Sequence, residues 1–443
     1  MARAINILFW LLLAAFVIEF SLNIRVSPIP GFSLKNMAMY SLILVMLVAN
    51  PAMNKPLIGK NSVNVPIVFF ILYCLASLLA TALFKVVPNY SLATELVLFK
   101  SYMDPYVLFI VVYSAVHDEK SINNLLFALV GVLIVFLSIT LLSSFGVLSV
   151  GRVTVDERWG RTTGAFSEPN QFAAYVVLFM PLLFVFFRQT HSKLMKVFFA
   201  LGLFAAAYVV LLTGSRGGIV SLTVAVGVYY LLSSRHVLAR SVLNLIGVYM
   251  AAFVGLFLVS LILPPETVAG LISRFTGEFE NEVATDYSSG RLTIWALALK
   301  QFVHYPLFGT GWRTFIPIFG ANSHNDYILF LVTTGIVGFC LYILVYVRLL
   351  KSAFHLRAAS EKYRPFYNAY IAGLASVLTA MMFVNIYNPS YFILLYSALM
   401  LKLGAVATET TDVVAEPGAA VSSAHAKVMR RRRNSAVLGK AQQ

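Results

Sequence analysis

Three side chains able to handle anions or protons stand at the borders of long apolar runs. Arg216 lies in LLTGSRGGIV, flanked by Gly214, Gly217 and Gly218. Arg291 opens the stretch GRLTIW, and His324 lies in NSHNDYILF. A charge in hydrocarbon costs roughly 2.5–3.5 kcal/mol at a helix centre, so a cation kept this close to it calls for a reason. Glycines let backbone approach a ligand closely, and a helix N-terminus is expected at Gly217. A guanidinium beside a helix N-terminus makes an anion site. Histidine suits proton transfer near neutral pH. The structural alternatives are a plain loop cation at Arg216, a headgroup-reaching arginine at Arg291 and a helix-end hydrogen bond at His324.

Other candidates flank these three. In GRTTGAFSEPNQFAAY, Arg161 and Glu168 precede an apolar run, with Pro169 and Asn170 reading first as helix-start residues. Asn325 follows His324, and Trp312 and Arg313 in GTGWRTF have the chemistry to touch a sugar or a lipid headgroup. The outer acids Glu278, Glu280, Glu282 and Asp286 lack metal-ligand spacing, and neither a Walker loop nor a dinucleotide fingerprint is present. No metal site and no cofactor are therefore expected. Cys74 and Cys340 both lie inside apolar runs and read as small core residues.

These residues must be held by membrane-spanning helices. Of 443 residues, 60% are hydrophobic and 12% charged, about half the charge of a soluble domain. Apolar runs of span length recur, which makes the chain an all-α polytopic membrane protein and excludes a β-barrel. About twelve spans are expected, near 4–24, 34–50, 65–87, 103–117, 122–148, 169–188, 195–213, 217–234, 242–263, 327–350, 366–384 and 389–406. The first reads as an uncleaved span, since no small-residue cleavage site is evident.

With the N-terminus inside, 21 of the 33 Lys and Arg residues fall on the cytoplasmic side, which supports both termini there. This also accounts for the net charge of +15 without a nucleic-acid partner. Two outer segments are long: Gly151–Glu168, and a loop over about 264–326. In the second, Leu292, Trp295, Leu299 and Phe302 recur at helical spacing, as in an amphipathic helix on the membrane or over the bundle. Residues 1–405 thus form the transmembrane domain. The tail, 406–443, reads as disordered, with Arg430–Arg433 near the anionic inner leaflet.

Taken in order, TGSRGG, SGRLTIWALAL, PLFGTGW and HNDYILFLVTTGIVG resemble the O-antigen ligase and polysaccharide polymerase family of bacterial inner membranes. The resemblance covers roughly residues 160–345, and GAFSEPNQFA is similar to a further family segment before the sixth span. It implies an inverting glycosyltransferase whose donor is a glycan on undecaprenyl diphosphate. The acceptor is another lipid-linked glycan, a lipid A core sugar or a protein hydroxyl, and a chain-length regulator is a further expected partner. In that family the arginine of the TGSR-like turn and the histidine of the HN pair are functional; here they fall on Arg216 and His324. Arg291 is the positional match to an arginine of the long outer loop. The implied site faces the periplasm. Two fixed guanidiniums would stabilise charge growing on the diphosphate leaving group, in place of a divalent metal. His324 would accept the proton of the attacking hydroxyl or orient it. Polymerase and ligase remain equally open.

The competing class is a transporter of lipid-linked oligosaccharide. Transporters carry ionisable groups at mid-membrane. Here acids within spans are nearly absent, Glu19 being the clearest case.

Overall fold

The computed structural model describes residues 2–234 and 290–407, apart from residues 23, 25–31, 89, 150–152, 154, 157–160 and 167. The expected ninth span, the first part of the long outer loop and the tail beyond residue 407 lie outside the described residues. The described chain is an all-α bundle with a single two-stranded hairpin. Its helices are α1 (Ala2–Phe20), α2 (Leu34–Ala52), α3 (Asn64–Leu83), α4 (Leu92–Ala115), α5 (Glu119–Ser144), α6 (Pro169–Gln189), α7 (Lys193–Leu212) and α8 (Arg216–Ser233). Then follow α9 (Arg291–His304), α10 (Phe315–Phe319), α11 (Asp326–Ala359), α12 (Arg364–Ala380) and α13 (Ser390–Ala407).

Among the described residues, nine helices are long and apolar enough to cross a membrane: α2 to α8, α11 and α13. The chain is a multi-pass membrane protein. Exposed Leu44, Val65, Leu83, Leu194 and Leu201 belong where lipid covers them. The core beneath the candidate residues is aromatic. Phe392 packs its ring 4.9 Å from Phe16 and 4.7 Å from Tyr175, and Phe166 stands 5.3 Å from Tyr175.

Three features depart from the sequence expectation. The fourth span begins at Leu92 rather than near 103, so Lys100 falls inside the helix that carries Asp104. They pair at 3.1 Å, and Lys35 pairs with Glu19 at 3.0 Å. Buried acids are therefore more numerous than Glu19 alone. Asp104 lies inside the expected fourth span, and Lys100 one turn away balances its charge.

The second departure is in α11. Gly335 has φ 65° and ψ −175°, a conformation open to glycine, and it interrupts the 34-residue helix. The opened turn is filled by backbone from 305–311. Thr310 N donates to Val332 O at 2.9 Å, Gly311 N to Thr333 O at 2.9 Å, and Ile336 N to Pro306 O at 2.9 Å. Non-helical backbone at membrane depth survives only where protein satisfies its polar groups, and these bonds do so. PLFGTGW and TTGIVG are thus two halves of one brace.

The outer helix α9 differs in its seam. Ile294, Ala298 and Phe302 pack toward Phe315 and Val332, whereas Leu292 and Leu299 of the expected stripe are exposed. The helix is apolar on more than one side, so the spacing of its large residues did not single out the buried face.

Candidate active site

The amino-terminal ends of α6, α8 and α11 meet at one end of the bundle, each capped by a side chain. Glu168 Oε2 accepts from Gln171 N at 2.7 Å, Ser215 Oγ from Gly218 N at 3.0 Å, and Asn325 Oδ1 from Ile328 N at 3.1 Å. Together they give this end a positive potential before any side-chain charge is counted. The α8 end is seated by glycine. A Cβ on Gly217 would stand 2.6 Å from Phe383 Cβ, and one on Gly218 2.7 Å from Ala173 Cβ. The expectation that these glycines open backbone to a ligand is therefore corrected: their space is taken by neighbouring side chains. Their service is close packing, which fixes where Arg216 emerges. Arg216 is the first residue of α8 and is exposed.

Arg291 comes from the other side. Its Nη1 donates to Phe383 O at 3.2 Å, the same residue that Gly217 abuts. Burial lowers the Arg291 pKa; the nearby Glu168 carboxylate opposes this and the Arg216 guanidinium adds to it. That the charges of Glu168 and Arg216 both reach Arg291 places the three groups in one electrostatic neighbourhood. Arg161, on the second strand of the hairpin Val155–Asp156/Arg161–Thr162, donates from Nε to Thr213 O at 2.8 Å and from Nη2 to Asn170 Oδ1 at 3.1 Å. Asn170 Nδ2 in turn donates to Glu168 Oε1 at 2.9 Å. Arg161 thereby ties the last turn of α7 to the first turn of α6.

His324 completes the group. It is half-buried, and its pKa is pushed below the usual histidine value first by burial, then by the guanidiniums of Arg291 and Arg161. At neutral pH its ring is neutral and able to accept a proton. Its backbone sits at φ 47°, a left-handed conformation that histidine tolerates better than most residues but that still carries strain. The strain is held from both sides. Ser323 O accepts from Trp295 Nε1 at 2.7 Å, Ser323 Oγ accepts from Asn385 Nδ2 at 3.0 Å, and Asn385 Nδ2 also reaches Asp326 Oδ1 at 2.9 Å. Asp326 is buried and takes a further bond from Ile386 N at 3.2 Å.

The structure thus brings together Arg161, Glu168, Arg216, Arg291 and His324, with Asn325 as the cap beside them. Trp312 and Arg313 are placed differently. Trp312 is buried at 3% exposure against Phe99 and Tyr102, and Arg313 pairs with Glu95 at 2.9 Å. Tyr387 lies between the two sets, its ring 5.5 Å from Tyr102 and its hydroxyl facing Asn322 and Gln171. Sequence reasoning missed Trp295 as a positioning residue, and Ser323, Asp326, Phe383 and Asn385 altogether. Asn385, a polar residue in MMFVNIYNPS just after an apolar run, was the one available signal. Among the described residues, no group of three His, Cys, Asp or Glu side chains is close enough to hold a metal ion.

Comparison with known proteins places the chain. No curated protein matches it. The O-antigen ligase family profile matches residues 201–343, a stretch that carries Arg216, Arg291 and His324. That stretch, about a third of a multi-pass membrane protein, is similar to the O-antigen ligase family and supports a membrane glycan transferase of the ligase and polymerase type in general.

Proposed function

We propose that the protein transfers glycan from undecaprenyl diphosphate to an acceptor hydroxyl, with inversion at the anomeric carbon and without a metal ion. The observation that carries this reading is the convergence of Arg161, Arg216 and Arg291 around a neutral His324 at three helix N-termini. An anionic leaving group is what such a site stabilises. As the C1–O bond breaks, negative charge grows on the diphosphate, and fixed cations gain more there than in the ground state. The bidentate fork of arginine matches phosphate oxygens. His324 takes the proton from the attacking hydroxyl, which adds to C1 from the face opposite the departing diphosphate. Glu168 spaces the arginines and keeps their mutual repulsion in check.

The membrane is the bacterial inner membrane, the site faces the periplasm and both termini are cytoplasmic. The acceptor is a lipid-linked glycan, a lipid A core sugar or a protein hydroxyl, with a chain-length regulator as partner in the polymerase case. The test is an assay of the purified enzyme with its lipid-linked donor, reading the anomeric configuration of the product by NMR, with and without excess EDTA. Inverted product at an undiminished rate in EDTA is expected. Retained configuration overturns direct displacement, and a rate lost in EDTA and restored by magnesium or manganese overturns the metal-free mechanism.

A further inference from the structure

A second basic site stands at the far end of the bundle. A cavity of about 280 Å³ opens between α3, α4, α11 and α13, lined by Arg348, Lys351, His355, Ser62 and Tyr113, with Leu401 on its wall. Among the described residues no Asp or Glu lines it, and no carboxylate pairs with Arg348, Lys351 or His355. Lys402 adds a third cation, its Nζ 5.2 Å from the Tyr113 ring centroid. The rim is fixed by the bond between Ser62 Oγ and Ser352 Oγ at 2.9 Å.

Its depth is set by α11. From Asp326, beside His324, to Lys351 the span is at most about 38 Å at 1.5 Å per residue, with the break at Gly335 inside it. A bilayer with its headgroups is about 40–45 Å thick, so the cavity lies at the headgroup level of the leaflet opposite the arginine–histidine group. Val347, 49% exposed, lies one turn before Lys351 on the bilayer side of the cations. An exposed apolar side chain there suits acyl chains, which a free anion does not have.

We propose that this cavity binds the phosphate-bearing headgroup of an anionic phospholipid, whose acyl chains run toward the bilayer centre past Val347. The site is independent of the transfer reaction. Arg348 and Lys351 hold the phosphodiester, Ser62 and Ser352 offer hydroxyls to the headgroup, and with no acid among the described lining residues a zwitterionic headgroup finds no partner there for its ammonium.

Delipidated full-length protein in detergent, titrated with phosphatidylglycerol and with phosphatidylcholine under native mass spectrometry, tests it. Calorimetry with inorganic phosphate and glycerol phosphate forms a second arm. Phosphatidylglycerol is expected to bind in preference to phosphatidylcholine, with the free phosphates too weak to displace it. Each cation beside an anionic headgroup contributes about fivefold in affinity, so Arg348→Gln with Lys351→Gln should weaken binding about 25-fold. Neutralising Lys193 and Lys196, which do not line the cavity, should leave it unchanged. Equal binding of both lipids, full displacement by inorganic phosphate, or unaltered binding by the double variant each overturns the proposal. Should the double variant not fold, Ser62→Phe blocks the rim with the cations in place, and undiminished phosphatidylglycerol binding by that variant has the same force.

Discussion

Trp295 Nε1 donates to the carbonyl of Ser323 at 2.7 Å, so the helix that begins with Arg291 is bonded to the residue preceding His324. Arg291 and His324 are therefore positioned by one contact. Trp295→Phe keeps most of the ring and removes the donor. The expected result is a fall in kcat of about tenfold, in line with loss of one buried hydrogen bond of about 1–2 kcal/mol, with KM for the donor little changed. A change confined to KM would separate Trp295 from His324.

Arg216 emerges from a helix end that Phe383 and Ala173 hold in place. Substituting its side chain should leave the fold intact, because the residue is exposed. Arg216→Lys keeps a charge but loses the fork, and Arg216→Ala loses both. Both should lose turnover, the alanine variant by on the order of 10²–10³, as when one preorganised donor to a developing anion is removed. The check is polymer or ligated product against protein level in the membrane. Wild-type product from Arg216→Ala would return the residue to a loop cation.

Much of this site was legible because charge next to hydrocarbon is costly and therefore selective. That cost draws attention to Arg216 and Arg291, acid–base chemistry to His324, and their combination with the ordered motifs made them candidates, while the order of the helices follows from hydropathy. What hydropathy does not encode is which small or polar residues carry the packing. Gly217 and Gly218 look ligand-facing in sequence and are helix-facing in the fold. Trp312 looks like a sugar platform and is a core residue, because its loop is drawn inward by the break at Gly335. Asn385 and Asp326 meet across 59 residues, a pairing that no local pattern predicts.

That break gives a stability prediction. A Cβ at Gly335 would overlap the carbonyl of Leu307, and its φ is unfavourable for any other residue. Gly335→Ala should destabilise the protein by at least about 1–3 kcal/mol, the cost of one strained backbone position, before steric overlap is added. The readout is the thermal melting of detergent-solubilised protein. An unchanged Tm would mean that the brace between 305–311 and α11 does not bear on stability.

Topology can be tested directly. Single cysteines beside Arg216 and His324 should label with a membrane-impermeant maleimide in cells whose outer membrane has been made permeable. One beside Arg357 should label only after the inner membrane is opened. The basis is the concentration of Arg348, Lys351, Arg357, Lys362 and Arg364 at one end of α11 and α12, the end expected inside. Labelling at Arg216 that requires an open inner membrane would put the site on the wrong face for a periplasmic transferase.

His324 carries the sharpest pH prediction. Its pKa lies below the ordinary histidine value because burial and two guanidiniums disfavour the imidazolium. A base works only when unprotonated, so activity should be level at neutral pH and fall as pH drops through that lowered pKa. Arg161→Gln removes one of the charges that depress it, so the acid limb should move to higher pH. The backbone must be separated from the ring, since residue 324 sits at φ 47°. Asparagine accepts that conformation and lacks the imidazole. His324→Asn should keep the wild-type Tm and lose on the order of 10²–10⁴ in rate, the usual contribution of a general base. His324→Ala should show the same rate loss with a lower Tm. If His324→Asn retains both the wild-type rate and the acid limb, the proton goes elsewhere and His324 serves only to start α11.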